Sequence, residues 1–198
     1  MIKRREIDKM AENYIIGWSE KDITPDKKIS LAGQFYERVS EYVETPLTVT
    51  AMAIGSGKEY VIFCSCDLVA VSTVLMSDVR ARIASECSEI NTDAVIISAT
   101  HTHTSYEYRK RGSEAVTDSL KKLREYMPDG VEYIDRVPLP EDVMSPEDAA
   151  DVIAEKISEA CIEAYKNMKP ASFANQFGRV GGEMLVRNTV DEINKMFK

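Results

Sequence analysis

The sequence Ile96-Ile-Ser-Ala-Thr-His-Thr-His-Thr-Ser105 changes from apolar to polar within a few residues. Residues 94–97 form a short apolar run of the length expected for a buried strand. The polar part carries His101 and His103, and the sequence contains 2 histidines in all. Open α/β sheets bind ligands at the carboxyl ends of their strands. The sequence therefore predicts a functional site where this strand ends.

The two histidines are the first candidates for that site. Residues i and i+2 of an extended chain project to the same side, so both imidazoles should face one cleft. A His-x-His pair alone is weak support for a metal, since histidine is also a common surface residue. Here, however, the pair follows a buried strand, and hydroxyl groups that can orient an imidazole flank it. These hydroxyls belong to Thr100, Thr102, Thr104 and Ser105.

The rest of the chain predicts an α/β fold with a mixed β-sheet flanked by helices, in a single domain spanning residues 1–198. A strand, a helix and a strand follow one another between residues 59 and 99. This unit predicts two parallel strands joined by a right-handed crossover. Trp18 is predicted to anchor the core. We expect strands near 14–19, 46–54, 59–66, 94–99 and 171–177, and helices near 73–88 and 146–168.

Asp67 follows the apolar strand 59–66 directly. If this strand and the strand before His101 are parallel neighbours, Asp67 and His101 lie at the same edge of the sheet. A carboxylate there can be a metal ligand, a hydrogen-bond partner of an imidazole or only a helix cap. The residues leave these three roles open.

Two further segments could border the site. Residues 30–42 read as a loop that could fold over it, and Arg38 in this loop is either a substrate contact or a solvated surface charge. Residues 106–144 interrupt the alternation of strands and helices directly after the histidines. We interpret them as a lid or an insertion at the rim of the site, with disorder as the alternative.

Composition excludes several classes of protein. The net charge of −8 argues against nucleic-acid binding. The sequence has neither a secretory signal nor an apolar run long enough to span a bilayer, which predicts a cytoplasmic protein without a transmembrane segment. The 4 cysteines are spread over predicted strands and helices. That distribution favours buried, reduced thiols over a disulfide framework.

Several motifs also occur in the order typical of one enzyme family. The chain resembles the amino-terminal region of the neutral/alkaline (non-lysosomal) ceramidases and their bacterial relatives, well over residues 14–105 and loosely beyond. Ser98-Ala-Thr-His-Thr-His103 is the specific motif. The supporting motifs are Gly17-Trp-Ser-Glu-Lys-Asp-Ile-Thr-Pro25, Leu31-Ala-Gly33, Thr45-Pro-Leu47 and Ser65-Cys-Asp-Leu68.

The resemblance implies a zinc-dependent amidase that cleaves an N-acyl bond in a small, lipid-like substrate. It implies that His101 binds zinc and that His103 meets the substrate at the reacting centre. Zinc ionises a bound water near neutral pH and polarises a carbonyl. A nearby imidazole can assist proton transfer or hydrogen-bond a developing oxyanion. Because a cytoplasmic protein is not expected to act on a membrane lipid, another N-acyl compound is an equally good candidate for the substrate.

The chain also departs from the family pattern. Glu44-Thr45 replaces the usual His-Asp, and Thr104-Ser-Tyr106 replaces the usual Ser-Gly-Pro. The other family ligands lie far downstream, and this sequence has no third histidine. We therefore expect either the amino-terminal part of a longer enzyme, or a non-catalytic or partial binding domain with an incomplete metal site. Arg187, in a reversed Asn-Arg element, is a candidate substrate contact or a plain surface residue.

Overall fold

A computed structural model describes residues 14–33, 37–109, 126 and 139–172 of the chain. The described strands form one five-stranded sheet in the order β4-β3-β2-β1-β5. Two helices pack on this sheet. The elements are β1 (Tyr14–Asp22), β2 (Thr48–Ser56), β3 (Glu59–Cys66), α1 (Thr73–Glu86), a 3-10 turn (Thr92–Ala94), β4 (Val95–Ala99), α2 (Pro146–Lys166) and β5 (Lys169–Ala171).

The sheet is mixed, as the sequence predicts. Strands β1, β2 and β3 form an antiparallel meander, and β5 pairs antiparallel with β1. Strand β4 pairs parallel with β3, and α1 makes the connection between them. The predicted α/β fold with a parallel strand–helix–strand unit is therefore confirmed. In this pairing Cys66 lies beside Ala99, which brings the ends of the two strands to one edge of the sheet.

Both helices begin at a serine that caps them. The hydroxyl of Ser72 accepts a hydrogen bond from the backbone N–H of Leu75 at 3.1 Å, at the start of α1. The hydroxyl of Ser145 accepts from the N–H of Asp148 at 3.0 Å, and Pro146 follows at the first helical position. Each cap satisfies a donor that the first helical turn leaves unpaired, so the sequence locates both helix starts locally.

One face of the sheet is covered by the helices. The inward residues of β2 are small, and Val49, Ala51 and Ala53 are all fully buried. Gly17 in β1 lets α2 approach most closely, because a Cβ at this position would lie 2.0 Å from the carbonyl oxygen of Ala164. The aliphatic residues Ile153 and Ile157 of α2 fill the space above these small side chains.

Trp18 does not anchor the core, and that prediction is wrong. Successive side chains of a strand point to opposite faces. Because Gly17 and Ser19 face α2, Trp18 projects to the other face of the sheet, where it is 58% exposed. It begins a row of apolar side chains across four strands. In register with Trp18 the row continues through Met52, Phe63 and Ile96.

Some boundaries differ from the predicted ones. Strand β1 continues to Asp22, and β5 begins at Lys169, ahead of the predicted start at residue 171. Residues 173–177 of that predicted strand lie outside the described residues. The four cysteines are buried and free, as expected. None of the described helices is long and apolar enough to cross a membrane.

Candidate active site

His101 lies just past the end of β4, in a turn attached to the neighbouring strand end. The backbone N–H of Thr100 donates to the carbonyl oxygen of Cys66 at 2.9 Å, and that of His101 donates to the carbonyl oxygen of Leu68 at 3.0 Å. His101 itself has a φ of 65°, in the left-handed region that non-glycine residues rarely occupy. The chain therefore turns sharply at the histidine instead of continuing as a strand.

The hydrogen bonds of the His101 ring determine its tautomer. Its Nδ1 atom lies 2.6 Å from the carbonyl oxygen of Val69. A carbonyl oxygen can only accept, so Nδ1 carries the proton, and in the neutral ring Nε2 is the unprotonated nitrogen with a lone pair. This lone pair faces His103, whose Nε2 atom is 3.3 Å away. The two rings meet edge to face, with centroids 4.8 Å apart and an interplanar angle of 82°.

The two imidazoles thus come together as predicted, although the predicted reason was wrong. We expected an extended chain to place residues i and i+2 on the same side. Instead the left-handed turn at His101 directs its ring towards His103. His101 is exposed and His103 is half-buried, so the pair sits at the surface of the sheet edge.

The loop containing Arg38 lies against the backbone of His103. The guanidinium of Arg38 donates from Nη2 to the carbonyl oxygens of both His103 and Ala32. The side chain is half-buried. These contacts exclude the interpretation of Arg38 as a solvated surface charge. Its role as a substrate contact stays a prediction.

The same loop pairs with the chain that follows the histidines. The N–H of Ala32 donates to the carbonyl oxygen of Ser105 at 2.9 Å, and the N–H of Glu107 donates to that of Ser30 at 2.8 Å. The start of the predicted loop over the site, at Ser30 and Ala32, is therefore hydrogen-bonded to the segment that follows His103.

Asp67 lies at the predicted edge of the sheet, but its carboxylate has partners other than the His101 ring. Oδ2 accepts from the N–H and the hydroxyl of Thr48, at 2.9 and 3.1 Å, and Oδ1 accepts from the hydroxyl of Thr100 at 3.0 Å. Both nitrogens of the His101 ring are engaged by Val69 and His103. Asp67 thus links the start of β2 to the exit of β4, one residue before His101.

The described ends of the predicted lid, residues 106–144, make contacts with other segments of the chain. Tyr106 is buried and donates its hydroxyl to the carbonyl oxygen of Ile23 at 2.6 Å, and this burial raises the pKa of its phenol. Tyr108 donates to the carbonyl oxygen of Ala70 at 2.9 Å. At the other end the Nζ of Lys28 contacts Asp142 at 2.7 Å. The lid interpretation for residues 110–125 and 127–138, and the role of Arg187, fall outside the described residues.

The fit of a metal to this site can be judged from the donor set. The Nε2 lone pair of His101, with Nδ1 held by a carbonyl, is the arrangement common in metal-binding histidines. The 3.3 Å between the two Nε2 atoms also matches the spacing of about 3.3 Å that two nitrogen ligands of one tetrahedral zinc would have. Within the part of the chain that the structure describes, no three His, Cys, Asp or Glu side chains are grouped to hold a metal.

Sequence reasoning missed two features next to the histidines. One is Gly33, whose α-carbon lies against the ring of His103. The other is an open groove of about 500 Å³ between residues 24–31 and 39–47, bordered by Thr104. The Leu31-Ala-Gly33 motif was a signal for the first. No local sequence pattern predicts the groove, because it forms between segments that are distant in sequence.

Comparison with known proteins finds similarity in structure alone. No family model and no curated protein sequence matches the chain. The crystal structure of neutral ceramidase from Pseudomonas aeruginosa superposes with a TM-score of 0.59 and 15% identity, over 80% of this chain and 22% of that one. A ceramidase complexed with C2 gives a TM-score of 0.57 and 16% identity, with the same coverage. The chain therefore shares its fold with a part of bacterial neutral ceramidase that makes up about a fifth of that enzyme.

Proposed function

We propose that the chain belongs to a zinc-dependent hydrolase of an N-acyl (amide) bond that resembles the neutral ceramidases. The observation that carries the proposal is the convergence of the two Nε2 atoms of His101 and His103, 3.3 Å apart at the carboxyl end of β4. The likeness in fold to ceramidase structures supports it. The substrate is a small N-acyl compound, which includes lipid amides.

His101 is the proposed zinc ligand. Its Nδ1 proton is held by the carbonyl oxygen of Val69, so the ring presents Nε2 as a donor without any change of tautomer. Zinc, when bound, would supply a Lewis acid for the amide carbonyl and lower the pKa of a water to near neutrality. The described residues group no third His, Cys, Asp or Glu side chain with the two histidines, and the resemblance implies that the other ligands lie further downstream.

His103 is the proposed catalytic residue on the substrate side. Its ring is half-buried and held next to His101, within reach of any carbonyl that approaches the Nε2 of His101. A neutral imidazole there can donate a hydrogen bond to the developing oxyanion, or move a proton between the attacking water and the leaving amine. Such proton transfer contributes roughly 10²- to 10⁴-fold to a rate.

The other candidate residues have supporting roles in this proposal. Asp67 supports the site indirectly, because its carboxylate accepts a hydrogen bond from Thr100 and so holds the residue that precedes His101. Arg38 and Arg187 are the candidate substrate contacts. A cytoplasmic location and the lack of nucleic-acid binding also remain predictions from the sequence.

The test is an amide-hydrolysis assay on the full-length natural polypeptide. The purified protein, supplied with zinc, is incubated with a panel of N-acyl amines that includes ceramides, and the released carboxylic acid is measured by mass spectrometry. We expect release that His101→Ala abolishes and that His103→Ala lowers roughly 10²-fold or more. Glu86→Ala, at the exposed far end of α1, is the control and should keep the activity.

Two results would overturn the proposal. The first is hydrolysis that both histidine variants retain at the rate of the unchanged protein. The second is saturable binding of an N-acyl amine with no acid released at any zinc concentration. That second result would identify the alternative function, a binding domain that keeps the fold without the chemistry.

A further inference from the structure

Gly33 leaves no space for a side chain beside His103. A Cβ at residue 33 would lie 2.5 Å from Cγ of His103 and 2.6 Å from its Nδ1. Real Cβ atoms do not approach other heavy atoms so closely, so the imidazole occupies the volume that any other residue would need. Gly33 also has a φ of 93°, a conformation that glycine adopts without strain.

The loop that carries Gly33 cannot simply move away from the ring. On one side of Gly33, Ala32 donates its N–H to the carbonyl oxygen of Ser105. Arg38 then joins the two segments, since its Nη2 donates to the carbonyl oxygens of Ala32 and His103. The loop that carries Gly33 is thus tied to the carbonyl oxygens of Ser105 and of His103 itself.

The other end of the His103 ring meets His101. Its Nε2 atom lies 3.3 Å from that of His101, while Cγ and Nδ1 face Gly33. A ring bounded on two sides has little freedom to rotate about its side-chain bonds. A bulkier residue at position 33 would have to displace or rotate the ring, which would change its contact with His101.

We propose that Gly33 and Arg38 are positioning residues that set the orientation of the His103 imidazole. Gly33 acts through its missing side chain, and Arg38 acts by holding the His103 carbonyl beside the Gly33 loop. The inference rests on the proposed function only for the catalytic use of His103. The placement of the ring is measurable without substrate or metal, so the two ideas can fail separately.

The first experiment observes the histidine rings directly by nitrogen-15 NMR. With only 2 histidines in the chain, every ring signal can be assigned with His101→Gln and His103→Gln. We expect Gly33→Ala to shift the His103 ring signals and to change the Nε2 signal of His101. Gly57→Ala is the matched control, because Gly57 also has a positive φ of 65° but an added Cβ would meet no atom within 4 Å.

Arg38→Gln should shift the same His103 signals, and Arg38→Lys, which keeps a cationic donor, should restore part of the original spectrum. Arg82→Gln is the control for loss of an arginine, since Arg82 contacts Asp151 on the helices. Identical ring signals in Gly33→Ala and the unchanged protein would overturn the proposal for Gly33. Identical signals in Arg38→Gln would overturn it for Arg38.

A double-mutant cycle keeps the test decisive if Gly33→Ala unfolds the chain. His103→Ala removes the Cγ and Nδ1 atoms with which the new Cβ collides. The loss of stability from Gly33→Ala should therefore become much smaller in the His103→Ala background, while the loss from Gly57→Ala stays the same in both. Equal losses from Gly33→Ala in both backgrounds would show that backbone strain alone is responsible, and would contradict the proposal.

Discussion

The Nδ1 atom of His101 is hydrogen-bonded to the carbonyl oxygen of Val69 at 2.6 Å. Val69 itself is buried, so the carbonyl is a fixed part of the sheet edge. This one contact selects the tautomer in which Nε2 carries a lone pair, directed towards the Nε2 atom of His103. It also holds the ring of a residue whose backbone is in the left-handed region. The site therefore depends on a main-chain group more than thirty residues away.

The first prediction concerns zinc. This 198-residue chain, loaded with zinc and desalted, should retain well under one zinc per molecule, because it has only 2 histidines and a catalytic zinc normally has three protein ligands. In a competition assay with a chromogenic chelator, His101→Ala should weaken the remaining zinc affinity more than His103→Ala does.

Metal content is measured by inductively coupled plasma mass spectrometry. Zinc held at one per chain after desalting would contradict the prediction, and Asp67→Ala would then be the first variant to test for a further ligand. Equal loss of affinity in both histidine variants would instead assign both Nε2 atoms to the metal, as their separation permits.

Asp67→Ala should lower the free energy of unfolding by about 2 kcal/mol, since hydrogen bonds to a charged group contribute roughly 1.5–3 kcal/mol each and water can replace some of them here. The physical reason is the loss of the carboxylate that bonds Thr48 and Thr100. Urea unfolding followed by circular dichroism measures the change. Asp78→Ala on the exposed side of α1 is the control and should change stability by less than about 0.5 kcal/mol. Equal effects of the two variants would show that Asp67 does not link the strands.

A pH dependence is expected from Glu163 on α2. Its ion pair with Lys21 and a hydrogen bond from Ser19 hold the pKa of this carboxyl below its ordinary value of 4.5. A depressed folded-state pKa contributes stability that is present above the unfolded pKa and is lost as pH falls through the folded pKa. At neutral pH the unchanged protein should therefore be more stable than Glu163→Gln, and the difference should vanish in acid.

Unfolding by urea at a series of pH values from neutral to below about 4 gives this difference directly. Glu155→Gln, which alters an exposed carboxylate on the same helix, serves as the matched control and should show a weaker dependence on pH. A gap between Glu163→Gln and the unchanged protein that persists in strong acid would mean that the side chain acts through packing and not through its charge.

Trp18 provides an optical test of the open sheet face. Trp18 is the single tryptophan of the chain. Its side chain is 58% exposed and stands at the end of the apolar row formed with Met52, Phe63 and Ile96. Its fluorescence should therefore be red-shifted and readily quenched by acrylamide, unlike that of a buried indole. Blue-shifted emission that resists quenching in the folded chain would contradict the exposure of this face.

Much of the fold is predictable from local sequence. The alternation of residues in β2, the apolar run of β3 and the caps Ser72 and Ser145 act over a few residues, so the strands and helices begin close to where the sequence predicts them. The crossover rule then brings the ends of β3 and β4 to one edge. Because these determinants are local or follow from chain connectivity, they predict correctly that Asp67 and His101 follow strands ending at the same edge of the sheet.

Tertiary structure decided which face of β1 is buried. Either Trp18 or its neighbours could have faced the core, and the size of tryptophan favoured the wrong choice. The outcome depends on α2, which approaches so closely that only Gly17 fits beneath Ala164. No pattern within β1 contains this information, since the helix that sets it lies more than a hundred residues further along the chain.

The detailed geometry of the site was likewise decided in three dimensions. Local sequence was enough to place His101 and His103 after a strand, of which Val95 and Ile97 are buried while Ile96 is exposed on the open face. Only the folded chain placed Val69 at one nitrogen of His101, and Gly33 and Arg38 around His103. These contacts join residues far apart in sequence, and their hydrogen bonds and packing hold His101 in a left-handed turn that its own preference would not select.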